Sequence, residues 1–228
     1  MAWLAAEGQI FAARRQGPGF GGALWRLVDG LYSQRGPDAR LLLRQRIFTE
    51  AALDPFDWGV LKVAARRHGQ GTLGEAGELQ WIEPAPWAPP AYLPAGWAPP
   101  DHIDPVDIPA ALAAMEALVP REGPRWAQDR PLAALLVDAV GKTVGWGLNQ
   151  GGQIPTRHAE LMALFGATAP GAALWCSRKP CRMCAGALAT MLPTGSMVYF
   201  RDPDPGRQAR ATVLDPHSDD ARRFVAGG

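Results

Sequence analysis

The side chains with the most chemical potential in this sequence are an imidazole, a carboxyl and two thiols. His158 and Glu160 stand in the run Arg157-His158-Ala159-Glu160, and Cys181 and Cys184 in Pro180-Cys181-Arg182-Met183-Cys184. One imidazole and two thiolates are good ligands for Zn²⁺. Three protein ligands leave the fourth tetrahedral position for water, as in a catalytic rather than a structural site. Cysteines three apart at a helix start put both sulfurs on one side of the first turn. Pro180 suits that turn because it has no N–H to leave unsatisfied, and the positive end of the helix favours ionised thiols. At the first turn of its own helix Glu160 can lie beside the metal-bound water while His158 holds the metal. An isolated HxE is a weak signal, and an isolated CxxC fits a redox pair or half of a zinc ribbon. The sequence has no second CxxC, and a redox pair gives His158 and Glu160 no role. The third cysteine, Cys176, could close a His/Cys₃ structural site, but a small thiol inside a strand is a common core residue.

The elements around these residues follow from periodicity. PLAALLVDA (131–139) reads as a strand, and VGKTVGWGLNQ turns at Gly141 into a second strand, which makes a hairpin. RHAELMALFG (157–166) has helical spacing, GAALWCS (171–177) is a short apolar strand, PCRMCAGALATML (180–192) a helix opened by proline, and SMVYF (196–200) a strand. RATVLDP (210–216) is expected to add a last short strand. The order ββαβαβ with buried strands implies an α/β fold, a sheet covered by helices. Both halves of the metal-binding motif fall at strand-to-helix junctions and can converge at one end of that sheet.

A further helix is expected at DIPAALAAMEAL (107–118). Before it, EPAPWAPPAYLPAGWAPPDHIDP holds too much proline for helix or central strand. We read residues 83–106 as an ordered linker lying along a surface with Trp87, Tyr92 and Trp97 packed down. ARLLLRQRIFTEAAL (39–53) and FDWGVLKVAARR (56–67) carry apolar residues at helical spacing, with Asp38 and Asp54 placed to cap. Residues 1–82 are therefore expected to be a mainly helical region, and 107–228 the domain that holds the chemistry.

The conjunction of HxE with PCxxC is the signature of the zinc nucleobase deaminases. The sequence resembles the cytidine deaminase-like superfamily, and its core is most similar to the bacterial tRNA adenosine deaminases. The likeness covers roughly residues 130–206 and rests on Asn149, TRHAELMAL, PCRMCAGAL and VYFRDPDPG. It implies a three-layer αβα sandwich around a mixed five-stranded sheet. It further implies zinc on His158, Cys181 and Cys184, a proton-shuttling Glu160, and Asn149 hydrogen-bonded to the target base or its sugar. Lys179 stands where those adenosine deaminases usually have Glu, and the chain after Phe200 is too short for their long C-terminal helix. The chemistry carries over better than the substrate.

The 228 residues are 47% hydrophobic, enough for a sizeable core, and the formal net charge of +1 gives no global footprint for a polyanion. Local patches must supply one, and Arg157, Arg178, Lys179 and Arg182 cluster beside the metal ligands, where they suit phosphate. No apolar run is long enough to span a bilayer, Glu7 interrupts any signal core, and three clustered cysteines argue against a disulfide framework. We expect a cytoplasmic enzyme with no membrane partner, a tRNA or single-stranded DNA or RNA substrate, and a homodimer as the assembly to test for. The alternatives are a deaminase of a free nucleotide, nucleoside or related heterocycle, and a zinc-stabilised binding module without turnover.

Overall fold

The computed structural model describes residues 1–15, 22–65, 67–74, 78–122, 129–215 and 224–226. Its C-terminal half is built on β6 (Ala133–Val137), β7 (Thr143–Leu148), β8 (Ala173–Arg178), β9 (Met197–Asp202) and β10 (Phe224–Ala226). They form a mixed sheet in the order β10-β9-β8-β6-β7. β6 pairs antiparallel with β7 and β8, and β8, β9 and β10 run parallel. Alternation along β6 shows how both faces are filled. Ala134 and Leu136 join the core under helices α5 (Ala159–Phe165) and α6 (Arg182–Met191), whereas Ala133 and Leu135 meet Ile108, Leu112 and Met115 of α4 (Ile108–Ala117) on the other face. This is the expected α/β sandwich with a five-stranded sheet. Its last strand is not where the sequence pattern put it. Residues 210–215 turn instead, the Thr212 N–H donating to the Asp215 carboxylate at 2.9 Å, and β10 supplies the edge. Residue 216 lies outside the described residues.

The front region departs from the mainly helical expectation, because it builds a five-stranded sheet of its own. β1 (Ala2–Ala6), β2 (Gln9–Ala13), β3 (Arg46–Thr49), β4 (Arg67–Gln70) and β5 (Glu78–Trp81) lie in the order β4-β3-β1-β2-β5. The alanine-rich start hides a hairpin. Glu7 and Gly8 both have positive φ, 54° and 76°, the two-residue turn whose twist matches paired strands. The pattern over 39–53 gives helix only at α2 (Ala39–Leu42), and the chain then straightens so that β3 can lie between β1 and β4. Trp3 stacks on Phe48 across that pairing, with ring centroids 4.4 Å apart. The second predicted helix does form, as α3 (Pro55–Ala64), with the Asp54 side chain accepting from the Asp57 N–H at 2.8 Å. Asp38 makes no capping bond.

The helices of the front region, α1 (Ala23–Arg35) and α3, lie against those of the C-terminal half and share one hydrophobic core with them. Trp25 of α1 packs on Phe165 of α5 at 4.4 Å. α3 meets α6 through glycine on both sides. A Cβ on Gly59 would stand 2.3 Å from the Met183 Cα, and one on Gly186 2.4 Å from the Pro55 carbonyl oxygen, so only hydrogen fits at either position. The proline-rich stretch runs as irregular chain with its rings packed down. Trp87 and Trp97 both meet Trp146 of β7 edge-on, at 5.8 and 5.2 Å, and Tyr92 packs on the α4 cluster. Among the described residues no helix is long and apolar enough to cross a membrane.

Candidate active site

His158 is the residue just before α5 and Cys181 the residue just before α6, both in extended backbone. Cys184 follows within the first turn of α6. The two helix starts thus face each other at one end of the sheet, and their side chains close a triangle. His158 Nδ1 lies 3.5 Å from Cys181 Sγ and 3.4 Å from Cys184 Sγ, and the two sulfurs are 3.6 Å apart. A tetrahedral zinc centre, with Zn–N of ~2.0–2.1 Å and Zn–S of ~2.3 Å, requires N···S edges of roughly 3.5 Å and an S···S edge of roughly 3.8 Å. The triangle fits that ion with little adjustment.

The electrostatics of the triangle suit a cation as well. Hydrogen bonding from the Cys184 thiol, reinforced by the imidazole opposite, holds Cys181 well below the ordinary thiol range. Burial by itself would lower the His158 pKa, but the Cys181 charge outweighs it and carries the imidazole up to about 9. Burial and the neighbouring Cys181 push Cys184 well above its ordinary value. Two sulfurs and an imidazole thus share protons in a buried space, and a divalent ion would let both thiols ionise together. Cys176 takes no part in the triangle. It is buried in β8 and donates to the Tyr199 carbonyl oxygen at 3.1 Å, the core role expected of it.

Glu160 and Asn149, both buried, lie with His158 and Cys181 on the wall of a cavity of about 410 Å³. Burial raises the Glu160 pKa, and His158 offsets part of that rise. The carboxyl is therefore easier to protonate than one in water, as a group that must both take and give a proton requires. Arg178 and Lys179 also line the cavity, and Lys179 is ion-paired with Asp215 at 2.6 Å. Arg157 does not. Its Nε and Nη2 bond the two oxygens of Asp29 in α1 at 3.0 and 2.9 Å, and Nη2 also reaches Ser33, so this cation binds the front region to the loop that carries His158. Arg182 points away too, its Nε donating to the Arg210 carbonyl oxygen at 3.1 Å beside a second depression. Three cations absent from the sequence reading replace them, namely Arg130, Arg207 and Lys62. Arg207 directly follows the quoted VYFRDPDPG run and could have been suspected. Lys62 comes from α3, and no local pattern could connect it to a site about a hundred residues later.

The fold and this constellation define a deaminase core of the cytidine deaminase-like superfamily. Residues 123–224 match the family model of the Bd3614-like deaminases, and the catalytic half of the chain is a domain of that superfamily. No curated protein matches the sequence. Among solved structures, the chain is similar to one from work on tRNA:A34 deaminases, with 25% identity over 43% of this chain and 78% of that one, at a TM-score of 0.35. It is similar to the dCMP deaminase of the cyanophage S-TIM5, with 18% identity over 45% and 86% of the two chains and a TM-score of 0.34. It is also similar to the guanine deaminase of Nitrosomonas europaea, with 18% identity over 69% and 91% and a TM-score of 0.45.

Proposed function

We propose that this protein is a zinc-dependent hydrolase that deaminates a nucleobase, adenine or cytosine, within single-stranded or looped nucleic acid, with a tRNA-type substrate favoured. The observation that carries the reading is the triangle of His158, Cys181 and Cys184, with zinc-like edges, set beside a buried Glu160 on the wall of a cavity. Those three residues would hold the ion, and bound zinc supplies a water nucleophile that is activated near neutral pH. Asn149 can donate to and accept from the edge of the base, which orients it in the cavity. Glu160 takes one proton from the attacking water and delivers it to the ring nitrogen as the C–O bond forms. It then takes the second proton, from the newly added hydroxyl, and gives it to the exocyclic amine, whose C–N bond breaks as the ring carbonyl forms and ammonia leaves.

The preference for a phosphate-bearing substrate rests on the cavity wall, where Lys62, Arg178 and Arg207 bring positive charge to a chain of nearly balanced composition and Arg130 is paired with Asp204 at 3.7 Å. A base in a duplex cannot reach such a cavity, so the strand must be single, looped or flipped. A free nucleotide would use the same wall and is the competing substrate. The test is ammonia release by zinc-loaded protein from free bases, nucleosides, nucleotides, tRNA and single-stranded DNA. Our reading predicts turnover concentrated in the polynucleotides. Turnover confined to the monomers would replace it by the free-nucleotide reading, and none on any member would leave a zinc-stabilised module.

A further inference from the structure

A second depression, of about 320 Å³, opens where α3 meets α6. Its lining includes Pro55, Trp58 and Lys62 of the front region, Arg182 of α6, and Thr212 and Val213. Three features distinguish it from an ordinary surface dent. Trp58 is 52% exposed, although the rest of α3 buries Phe56, Val60 and Leu61 in the core. The indole meets His68 only edge-on, with ring centroids 6.2 Å apart, and a half-exposed aromatic ring beside a concavity is a surface on which a planar group can stack. Two cations, Lys62 and Arg182, line the depression with Trp58, and no acidic side chain lines it among the described residues. The Arg182 guanidinium is held in place by the Arg210 carbonyl oxygen, so less freedom is lost when it takes up an anion. Finally, Lys62 lines both this depression and the catalytic cavity, which makes the two neighbours on one path.

We infer that this depression binds a nucleotide next to the target in single-stranded nucleic acid, its base stacked on Trp58 and its phosphate between Lys62 and Arg182. The inference rests on the nucleobase-deaminase reading and deepens it. An exposed ring beside two cations is the composition of a single-strand site, because every base has a π-face to stack and every nucleotide a phosphate to neutralise. An apolar peptide would not use the cations. On this account the front region is part of the substrate site, supplying Trp58 and Lys62 from a helix that glycine packing fixes against α6.

The test is binding, which does not depend on turnover. Fluorescein-labelled 15-nucleotide single strands, one of DNA and one of RNA, are titrated with the full zinc-loaded chain and followed by anisotropy. Trp58→Ala is expected to weaken binding by roughly 5- to 150-fold, the worth of one stacked base. Trp58→Phe should recover most of the loss. Lys62→Met should weaken binding and flatten its salt dependence by about one phosphate contact. Val140→Ala, which trims an exposed residue far from the depression, should bind as wild type does. The DNA and RNA arms distinguish the two sources of the strand. A wild-type chain that binds neither strand, or a Trp58→Ala variant that binds both unchanged, would overturn the inference even if the enzyme deaminates a free base. Strand binding that depends on Trp58 in a chain without deaminase activity would sustain the site and overturn the catalytic reading alone.

Discussion

Among single residues, the polar groups of the cavity divide by task, and substitutions should separate them. Cys176 lies outside the triangle of His158, Cys181 and Cys184, so Cys176→Ala should leave one zinc per chain by atomic absorption while lowering stability by about 1 kcal/mol, the value of a lost buried hydrogen bond. A variant without zinc would make Cys176 a ligand and the site a closed one. Asn149 is buried on the cavity wall. Asn149→Ala should remove about 1 to 3 kcal/mol of interaction with the base, read as a drop in kcat/KM on the best substrate of the panel at unchanged zinc content. Unchanged kcat/KM would remove Asn149 from the site.

At the scale of elements, the closeness of α3 and α6 is the feature with most at stake, because α6 carries Cys184 and α3 carries Trp58 and Lys62. Gly186→Ala places a methyl group against the backbone of Pro55 and Phe56, which cannot move aside as a side chain would. It should cost about 1 to 3 kcal/mol or more in urea unfolding and speed the loss of zinc to a chelator. Stability and zinc retention equal to wild type would mean that the two helices are not in the contact described. Elements next to the chemistry were legible in the sequence. The strand–helix alternation from 131 to 200 is periodic and punctuated, and each element formed within a few residues of its expected place. The first sheet was not legible, for physical reasons. Ala-Trp-Leu-Ala-Ala has the composition of a helix, and its strand character comes from pairing with β2 and β3. Residues 46–49 continue a helical apolar pattern that tertiary pairing overrides. The last strand was displaced from 210–216 to 224–226 because Asp215 stabilises a turn in the earlier segment.

At the scale of the whole molecule, the front region and the catalytic half are joined by more than the proline-rich connection. Asp29 is fully buried, and its carboxylate receives Thr156, at 2.9 Å, and Arg157, the two residues that precede His158. The clustered arginines of the sequence therefore split. Arg157 holds the molecule together, and Arg178 remains at the cavity. Nothing in the local sequence distinguishes them, because the partner of Arg157 lies more than a hundred residues away. Asp29→Ala leaves a guanidinium buried without its counter-charge, which typically costs about 3 to 5 kcal/mol. We expect one cooperative unfolding transition at a lower urea midpoint, with zinc released in the same transition. Two separated transitions, with the zinc-bearing one unmoved, would instead show two independent units.

The proton-shuttling role of Glu160 is decided by ammonia release from Glu160→Gln, with zinc content determined on the same sample. The amide nearly matches the carboxyl in shape but cannot carry protons from water to the ring and on to the amine. General acid–base groups are worth ~10² to 10⁴ in rate, and one that serves several transfers should reach the upper end or beyond. One zinc per chain is expected, with turnover reduced by at least that upper figure, about 10⁴-fold, on the best substrate of the panel. Substantial turnover by the variant, with zinc still bound, would contradict that role.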